Sequence, residues 1–143
     1  MKTGLQNIKR FRALISLPLS EKLLFFEAIF FLFLARLMLL VLPFRICIST
    51  IKRVKNDNDP DIALTSSIKD GIERAGRLAF WKNVCLGQSF AARWMLQKRG
   101  INSELMIGVR HDDQKKLKAH AWLTVSGFEI VPRGADYTIL TVY

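Results

Sequence analysis

The chain has 143 residues, of which 50% are hydrophobic and 24% are charged, so it fits one folded domain and is not a disordered or low-complexity protein. Two cysteines and two histidines, without a CxxC or HxxxH pair, exclude a disulfide scaffold and argue against a structural zinc site. We expect no metal and no cofactor. The net charge is +10, and residues 1–55 hold ten basic against two acidic residues. This asymmetry suits an acidic peptide, a membrane surface or nucleic acid, or a solvated surface without a specific partner.

The first third predicts a hydrophobic helical region. Residues 1–18 are basic and mildly apolar, and Ser20 followed by Glu21 is typical of a helix start. No glycine or proline follows until Pro43, which predicts one long helix over residues 21–42. Arg36 lies near its middle, where a charge in a bilayer costs about 2.5–3.5 kcal/mol. We therefore favour a core helix packed on most sides in a cytoplasmic protein, with membrane association as the less favoured alternative.

A polar, turn-rich run over residues 56–61 follows a second apolar stretch at residues 44–54, which is helical or irregular. Because the run contains Pro60 among Asn and Asp residues, it is the clearest linker in the chain. We place the domain boundary there. This gives a hydrophobic helical subdomain over residues 1–56 and a second domain over residues 57–143.

The second domain begins with helices and ends with strands. Apolar residues recur at helical spacing over residues 62–80, and a further helix is predicted over residues 84–99, ended by Gly100. The pattern then becomes strand-like over residues 104–110, 119–125 and 128–131, with Ser126 and Gly127 as a hairpin turn, and a last short strand lies within residues 137–143. Helices followed by an antiparallel meander predict an α+β fold.

Cys85 and His120 are the residues with the clearest chemical potential. Cys85 lies at a helix start, where exposed N–H groups stabilise a thiolate and can contribute to an oxyanion hole. His120, in a strand, could accept the thiol proton and return it to a leaving amine. A lone cysteine is more often a small buried hydrophobe, however, and we interpret Cys47 in that way. We expect His111, which lies in a charged turn, to be solvated.

Several segments occur in an order that carries a family resemblance. They are CLGQS (85–89), MLQKRGI (95–101), IGV (107–109) and AHAWL (119–123), preceded by LAR (34–36) and LPFR (42–45). The His-Ala-Trp tripeptide is shared by many transglutaminase-like proteins, and the whole ordered set is more specific. The chain resembles the B2 proteins of lasso peptide biosynthesis, which are leader peptidases of the transglutaminase-like, papain-like cysteine protease superfamily.

The resemblance implies a transglutaminase-like core, in which a nucleophile helix packs on an antiparallel sheet. It implies proteolysis of a ribosomally made precursor peptide, with Cys85 as nucleophile and His120 as general acid and base. A separate leader-binding B1 protein would deliver the precursor, and an ATP-dependent lasso cyclase would close the ring afterwards. The basic N-terminal third is a candidate docking region for the B1 protein with its leader. No nucleic-acid partner is expected.

The third member of the catalytic triad departs from the family pattern. Pro132 occupies the position close to the expected acid, and a proline side chain cannot orient an imidazole. We prefer Asp136, which follows a short loop, over Glu129, whose direction depends on the strand register. A backbone carbonyl, Asn or Gln could take the role instead.

Three further residues have two readings each. Gln88 either stabilises an oxyanion or lies on the helix surface, and Trp81 and Trp122 either wall the site or pack in the core. The departure at Pro132 also keeps a non-catalytic or membrane-associated scaffold of the same fold as an alternative. A transglutaminase or amidase would use the same Cys–His pair, because only the nucleophile that resolves the thioester differs.

Overall fold

Helices fill the first two thirds of the chain and strands the last third. The computed structural model describes residues 2–51, 59–79 and 85–143. Within them the order of elements is α1 (Lys2–Ile15), α2 (Leu19–Val41), α3 (Phe44–Ser49), α4 (Ile62–Leu78), α5 (Cys85–Gln97), β1 (Glu104–His111), β2 (Leu117–Val125), β3 (Phe128–Val131) and β4 (Thr138–Val142). The predicted α+β fold is confirmed, with α5 packed against β2 and β3.

Local chemistry explains where several elements start and stop. The Asp61 carboxylate accepts hydrogen bonds from the N–H groups of Ala63 at 2.9 Å and Leu64 at 3.4 Å, which caps the start of α4. Ser126 and Gly127 both adopt positive φ, at 48° and 84°, as a two-residue hairpin between β2 and β3 requires. The start of α2 differs from the prediction. Pro18 precedes its first residue, and no side chain caps it, so Ser20 lies inside the first turn.

The sheet is antiparallel with strand order β3-β2-β1-β4. The first three strands form the predicted meander, but β4 pairs with β1 and not with β3, which corrects the expectation of a simple meander. Backbone hydrogen bonds between Leu105 and Tyr143, at 3.0 and 2.9 Å, extend this pairing and fill the free edge of β1. Residues 132–137 therefore connect one edge of the sheet to the other.

One hydrophobic core joins α2, α4, α5 and the sheet. Leu24, Ala28 and Leu32 of α2 share this cluster with residues such as Ile68 of α4 and Leu123 of β2. A fully buried Leu or Ile contributes about 1.5–3 kcal/mol relative to an exposed one, so this packing holds α2 firmly on the rest of the fold. The predicted domain boundary at residue 56 lies outside the described residues and stays a prediction, while the core is continuous from α2 to β3.

Three ion pairs, made by two acidic residues, reinforce the inner face of α2. Glu21 pairs with Arg74 of α4 at 2.8 Å, and Glu27 pairs with Arg99, just after α5, at 2.6 Å and with Lys98 at 3.4 Å. Burial of Glu27 raises the pKa of its carboxyl, but the hydrogen bonds and charge attraction of Arg99 and Lys98 outweigh it and leave the pKa below 4.5. Both acids of the N-terminal third thus point inward.

The opposite face of α2 is open. In the described part of the chain, Leu19–Val41 is the one helix that is long and apolar enough to cross a membrane, a test that core helices of soluble proteins also pass. Only one side of α2 is buried, whereas the sequence predicted packing on most sides. Phe26 and Phe30, for example, are 65% and 60% exposed.

Candidate active site

Cys85 is the first residue of α5, and its side chain is half-buried. The Cys85 Sγ accepts a hydrogen bond of 3.5 Å from the backbone N–H of Ala121 in β2. Ala121 directs its methyl group into the core, so the thiol rests on the strand backbone. The sulfur therefore lies at a helix start and accepts a hydrogen bond from the backbone of β2.

The strand edge is available to Cys85 because β3 is short. The pairing of β3 with β2 covers residues 123–125 of β2, and β3 ends at Val131. Ala121 lies beyond that pairing, so its N–H donates to the sulfur instead of to a neighbouring strand. The chain just past the end of β3 and the start of α5 thus meet at the same stretch of β2.

His120 directly precedes Ala121, and its side chain lies on the opposite face of the sheet. Its Nε2 is 2.9 Å from the carbonyl oxygen of Pro132. A carbonyl only accepts hydrogen bonds, so this contact requires a proton on Nε2. In the neutral imidazole, Nδ1 is then the unprotonated nitrogen and the one able to accept a proton.

Two aromatic rings fix the plane of the imidazole. The Trp122 ring stacks on His120 at 6.1 Å between centroids with 18° between planes, and Tyr137 stacks at 5.1 Å and 29°. Trp122 is close to the backbone of Gly108, where an added Cβ would lie 2.9 Å from the ring and 2.8 Å from the Thr138 carbonyl oxygen. Glycine is therefore required at position 108 for the ring to reach His120.

Guanidinium groups cover the outer sides of these rings. Arg133 lies 5.2 Å from the Trp122 centroid, and Arg110 lies 5.3 Å from the Tyr137 centroid. Arg133 also donates a 2.6 Å hydrogen bond to the Tyr137 carbonyl, which closes the connection over residues 132–137. Cation–π contacts of this kind are worth about 0.5–1 kcal/mol each when exposed, so the layer is held from both sides.

Cys85 is hydrogen-bonded to the backbone of Ala121, the residue that follows His120 in β2. Trp122 stacks on the His120 ring, which is one of the two roles predicted for it. Asp136 is exposed, and none of its described contacts reaches His120. Glu129 is exposed in β3, opposite Thr124 of β2. Neither acid orients the ring in this structure, and the assignment of Asp136 as the triad acid stays a prediction.

The other predicted residues lie elsewhere. Cys47 is buried, as predicted, and His111 is exposed at the end of β1. Trp81 lies outside the described residues.

Gln88 lines a cleft of about 280 Å³ between α2 and α5, together with Leu32, Arg36, Leu39, Leu40, Leu86 and Gly87. This cleft begins one residue after Cys85, so it is a candidate path for a peptide. A larger cavity of about 580 Å³, which includes Pro60 and Ile101, contains none of the predicted catalytic residues.

Sequence reasoning allowed a backbone carbonyl in the orienting role without assigning it to Pro132, and it missed Tyr137 and Gly108. A carbonyl has no signature in the sequence, because every residue carries one. Tyr137 was assigned to the last strand without a role. Gly108 did carry a signal, since glycine inside a strand often marks a close approach of another group. Among the described residues, no group of three or more His, Cys, Asp or Glu side chains could hold a metal ion.

Comparison with known proteins gives one match. The profile of the transglutaminase-like superfamily matches residues 29–141, which run from within α2 into β4. No curated protein and no solved structure matches the chain. The matched range includes Cys85 and His120 together with Trp122 and Tyr137, whose rings stack on His120. It also crosses the predicted boundary at residue 56.

Proposed function

The chain belongs to the transglutaminase-like superfamily, and we propose that it is a cysteine peptidase that removes the leader from a ribosomally synthesised lasso precursor peptide. The superfamily includes cysteine peptidases. The observation that carries the proposal is the placement of Cys85 Sγ on the Ala121 N–H, next to His120, whose Nε2 is held by the Pro132 carbonyl. A thiol at a helix start, held on the backbone of the residue that follows a histidine with an oriented imidazole, supports acyl transfer through a thioester.

The chemistry follows from the tautomer of His120. The imidazole accepts the Cys85 proton on Nδ1, and the sulfur attacks the scissile carbonyl to form a tetrahedral intermediate. Its collapse breaks the C–N bond, and the imidazolium gives its proton to the leaving amine, which is the new N-terminus of the core peptide. His120 then takes a proton from water, the hydroxide attacks the thioester, and the leader departs as a carboxylic acid while the Cys85 thiol is restored.

We propose that the Pro132 carbonyl performs the orienting role that a carboxylate has in other triads. The Pro132 carbonyl accepts a hydrogen bond from Nε2–H in every step, so the proton stays on Nε2. Nδ1 is then the nitrogen that exchanges the reacting proton. Unlike a carboxylate, a carbonyl carries no full charge, so it stabilises the imidazolium less. The stacked rings of Trp122 and Tyr137 also help to hold the His120 ring in place, by van der Waals contact and not by charge.

The leader-peptide substrate and its partners rest on the ordered segments that resemble the lasso leader peptidases. We propose that a separate leader-binding B1 protein presents the precursor and that a lasso cyclase uses the freed amine. The cleft between α2 and α5 supports a peptide substrate, since its lining is mostly apolar and includes Arg36.

The test is cleavage of the cognate precursor peptide, followed by mass spectrometry, with and without the leader-binding protein. We expect a single cut at the leader–core junction with the wild type. Cys85→Ala should abolish it, because no other group in the proposed mechanism can form the thioester. Cys47→Ala is the matched control, since it removes the other thiol, and it should still cleave.

Two results would contradict the proposal. A folded wild type that leaves the precursor intact in the presence of its partner would favour a non-catalytic scaffold of the same fold. Release of the leader as an amide of an added amine, with no free acid, would instead assign the chain as an acyltransferase.

A further inference from the structure

The exposed side of α2 forms a continuous apolar surface, which we call the outer face. Its residues are between 47% and 73% exposed and recur every three or four positions: Leu19, Leu23, Phe26, Phe30, Phe33, Leu37 and Leu40. This spacing aligns them along one side of the helix. The 23 residues of α2 are about 34 Å long at 1.5 Å per residue. Soluble monomers rarely expose a continuous apolar patch of this extent, so the outer face requires a cover.

Helix α1 has an exposed apolar row of its own. Ile8, Phe11 and Ile15 are 60%, 66% and 61% exposed and follow the same spacing of three and four residues. Lys9 and Arg12 of the same helix are also exposed. Helix α1 thus has the composition of an amphipathic helix with a basic polar side.

The inner face of α2 decides how the helix could meet a bilayer. Leu24, Ala28 and Leu32 are in the core, and Glu27 is paired with Arg99. A transmembrane orientation would withdraw all of these groups from their partners. A helix that keeps its inner contacts can only lie along a surface with its outer face toward it.

A second copy of the chain is a weaker candidate for the cover. Coiled-coil seams are flanked by charged residues that pair across the interface. Here one flanking row is Lys22, Ile29 and Arg36, and both acids of α2, Glu21 and Glu27, are already paired inward. A second copy would find no exposed acid on α2 to pair with these basic flanks, whereas anionic headgroups would pair with them.

Charge identifies the kind of surface. Residues 1–20 contain no acid, and the first two acids, Glu21 and Glu27, are paired inward with Arg74 and Arg99. Exposed basic groups are left beside the apolar surface, with Arg45 of α3 in addition to those of α1. Anionic headgroups attract such basic groups. The headgroups lie at the depth where the apolar side chains of a bound helix enter the bilayer.

We propose that α1 and the outer face of α2 dock on an anionic lipid bilayer, with both helices in the plane of the membrane. Cys85 and His120 lie on α5 and β2, outside both helices, and Leu40 is the outer-face residue that also lines the cleft between α2 and α5. The proposal does not depend on peptidase activity. A peptidase held in this way would act on its peptide at the membrane surface.

The test is flotation of the full chain with vesicles of phosphatidylcholine containing phosphatidylglycerol, compared with phosphatidylcholine alone. We expect binding to the anionic vesicles and much less to the neutral ones. Phe26→Ser, Phe30→Ser and Phe33→Ser combined should reduce the bound fraction by roughly tenfold or more. Lys9→Glu with Arg12→Glu should remove the preference for the anionic lipid.

Leu117 and Leu140 provide the matched control, because they are exposed to 64% and 63% on strands β2 and β4. Leu117→Ser with Leu140→Ser should keep full vesicle binding, and circular dichroism melting verifies that each variant is folded. The proposal is overturned if folded wild type stays with neither vesicle, or if the control loses as much binding as the Phe variant. The proposal also fails if the Phe variant keeps full vesicle binding but loses a protein contact of the wild type. That contact would be either a dimer of the chain or a complex with the leader-binding protein.

Discussion

The two cysteines of this chain both lie next to helix α5, but their surroundings differ. Cys47 packs against α5 from α3, and Cys85 is the first residue of α5. Cys47 is 1% exposed, packs with Ala35 and Phe90, and donates its S–H toward the carbonyl oxygens of Met38 at 3.6 Å and Leu42 at 3.9 Å. Cys85 is half-buried at the start of α5 and accepts from the Ala121 N–H. One sulfur is a donor in an apolar corner, and the other is an acceptor at an open strand edge.

This difference teaches which thiol can react. A donor thiol surrounded by carbonyls and hydrocarbon has no group that could take its proton, and no substrate can reach it. The half-buried Cys85 sulfur is held on the residue that follows His120, so it is the candidate for such chemistry. The residue type is identical, so the backbone around each sulfur decides between core packing and chemistry. The predictions below test that contrast, beginning with the largest expected effect.

His120→Ala removes the base beside Cys85 and leaves Cys47 untouched. We expect the rate of precursor cleavage to fall by about 10²–10⁴-fold, the usual contribution of a positioned general base. The measurement is the initial rate by mass spectrometry, with unfolding midpoints to show that the fold persists. His111→Ala is the control and should cleave at the wild-type rate. Equal losses in the two variants would break the contrast.

Gly108→Ala tests the support of the imidazole. The new methyl group would overlap the Trp122 ring and the Thr138 carbonyl, so we expect a loss of about 1–3 kcal/mol in the free energy of unfolding, as for overpacked cores. Gly87→Ala is the matched change in α5, where nothing described lies within 4 Å of the added Cβ. It should stabilise the protein by up to about 1 kcal/mol, because alanine is the better helix former. Urea denaturation of both variants measures this, and equal effects would contradict the described packing.

Glu27→Gln separates stability from chemistry. Glu27 of α2 pairs with Arg99, just after the end of α5, and is distant in the sequence from both thiols. Loss of the charged hydrogen bonds to Arg99 should cost about 1–2 kcal/mol of unfolding free energy at neutral pH. Cleavage by the folded variant should be unchanged.

The pH dependence of that loss has a defined sign. Because the pKa of Glu27 is below 4.5 in the folded protein, its contribution is complete above pH 4.5 and disappears as the pH falls through the folded pKa. The stability difference between wild type and Glu27→Gln should therefore shrink below about pH 4.5. Urea denaturation across acidic pH measures it, and a difference that grows with acidity would contradict the ion pair.

Asp136→Asn has the smallest expected effect. If the Pro132 carbonyl orients His120, the cleavage rate should stay within about threefold of wild type, whereas loss of a true triad carboxylate costs about 10⁴-fold. Glu129→Gln, measured in parallel, provides the same test for the other acid. A loss of the larger size in either variant would restore that acid as the third member.

The sequence predicted those parts of the fold whose signals are local. Helical spacing of apolar residues marks α4, the absence of glycine and proline up to Pro43 marks α2, and Gly100 marks the end of the helix that is α5. Gly127 marks the hairpin between β2 and β3. Helix α1 was missed, although Ile8, Phe11 and Ile15 already have helical spacing. The pairing of β4 with β1 depends on which sheet edge is free, and strand order is not written in any local pattern.

The candidate site residues were chosen by side-chain type. Cys85 and His120 were proposed because their residue types carry chemistry, and their catalytic roles stay predictions. Pro132 was set aside because its side chain is inert, yet its carbonyl is the group within 2.9 Å of the imidazole. The sheet crossover over residues 132–137, which places this carbonyl and Tyr137 on His120, followed from the unpredicted position of β4.

The most direct test of the account is alkylation of the native protein with limiting iodoacetamide, with adduct sites mapped by tryptic mass spectrometry and precursor cleavage measured in parallel. We predict that Cys85 is modified first, that cleavage falls in proportion to its modification, and that Cys47 reacts only after denaturation. Full modification of Cys85 with cleavage intact, or loss of cleavage that follows Cys47 instead, would contradict the assignment of Cys85 as the nucleophile.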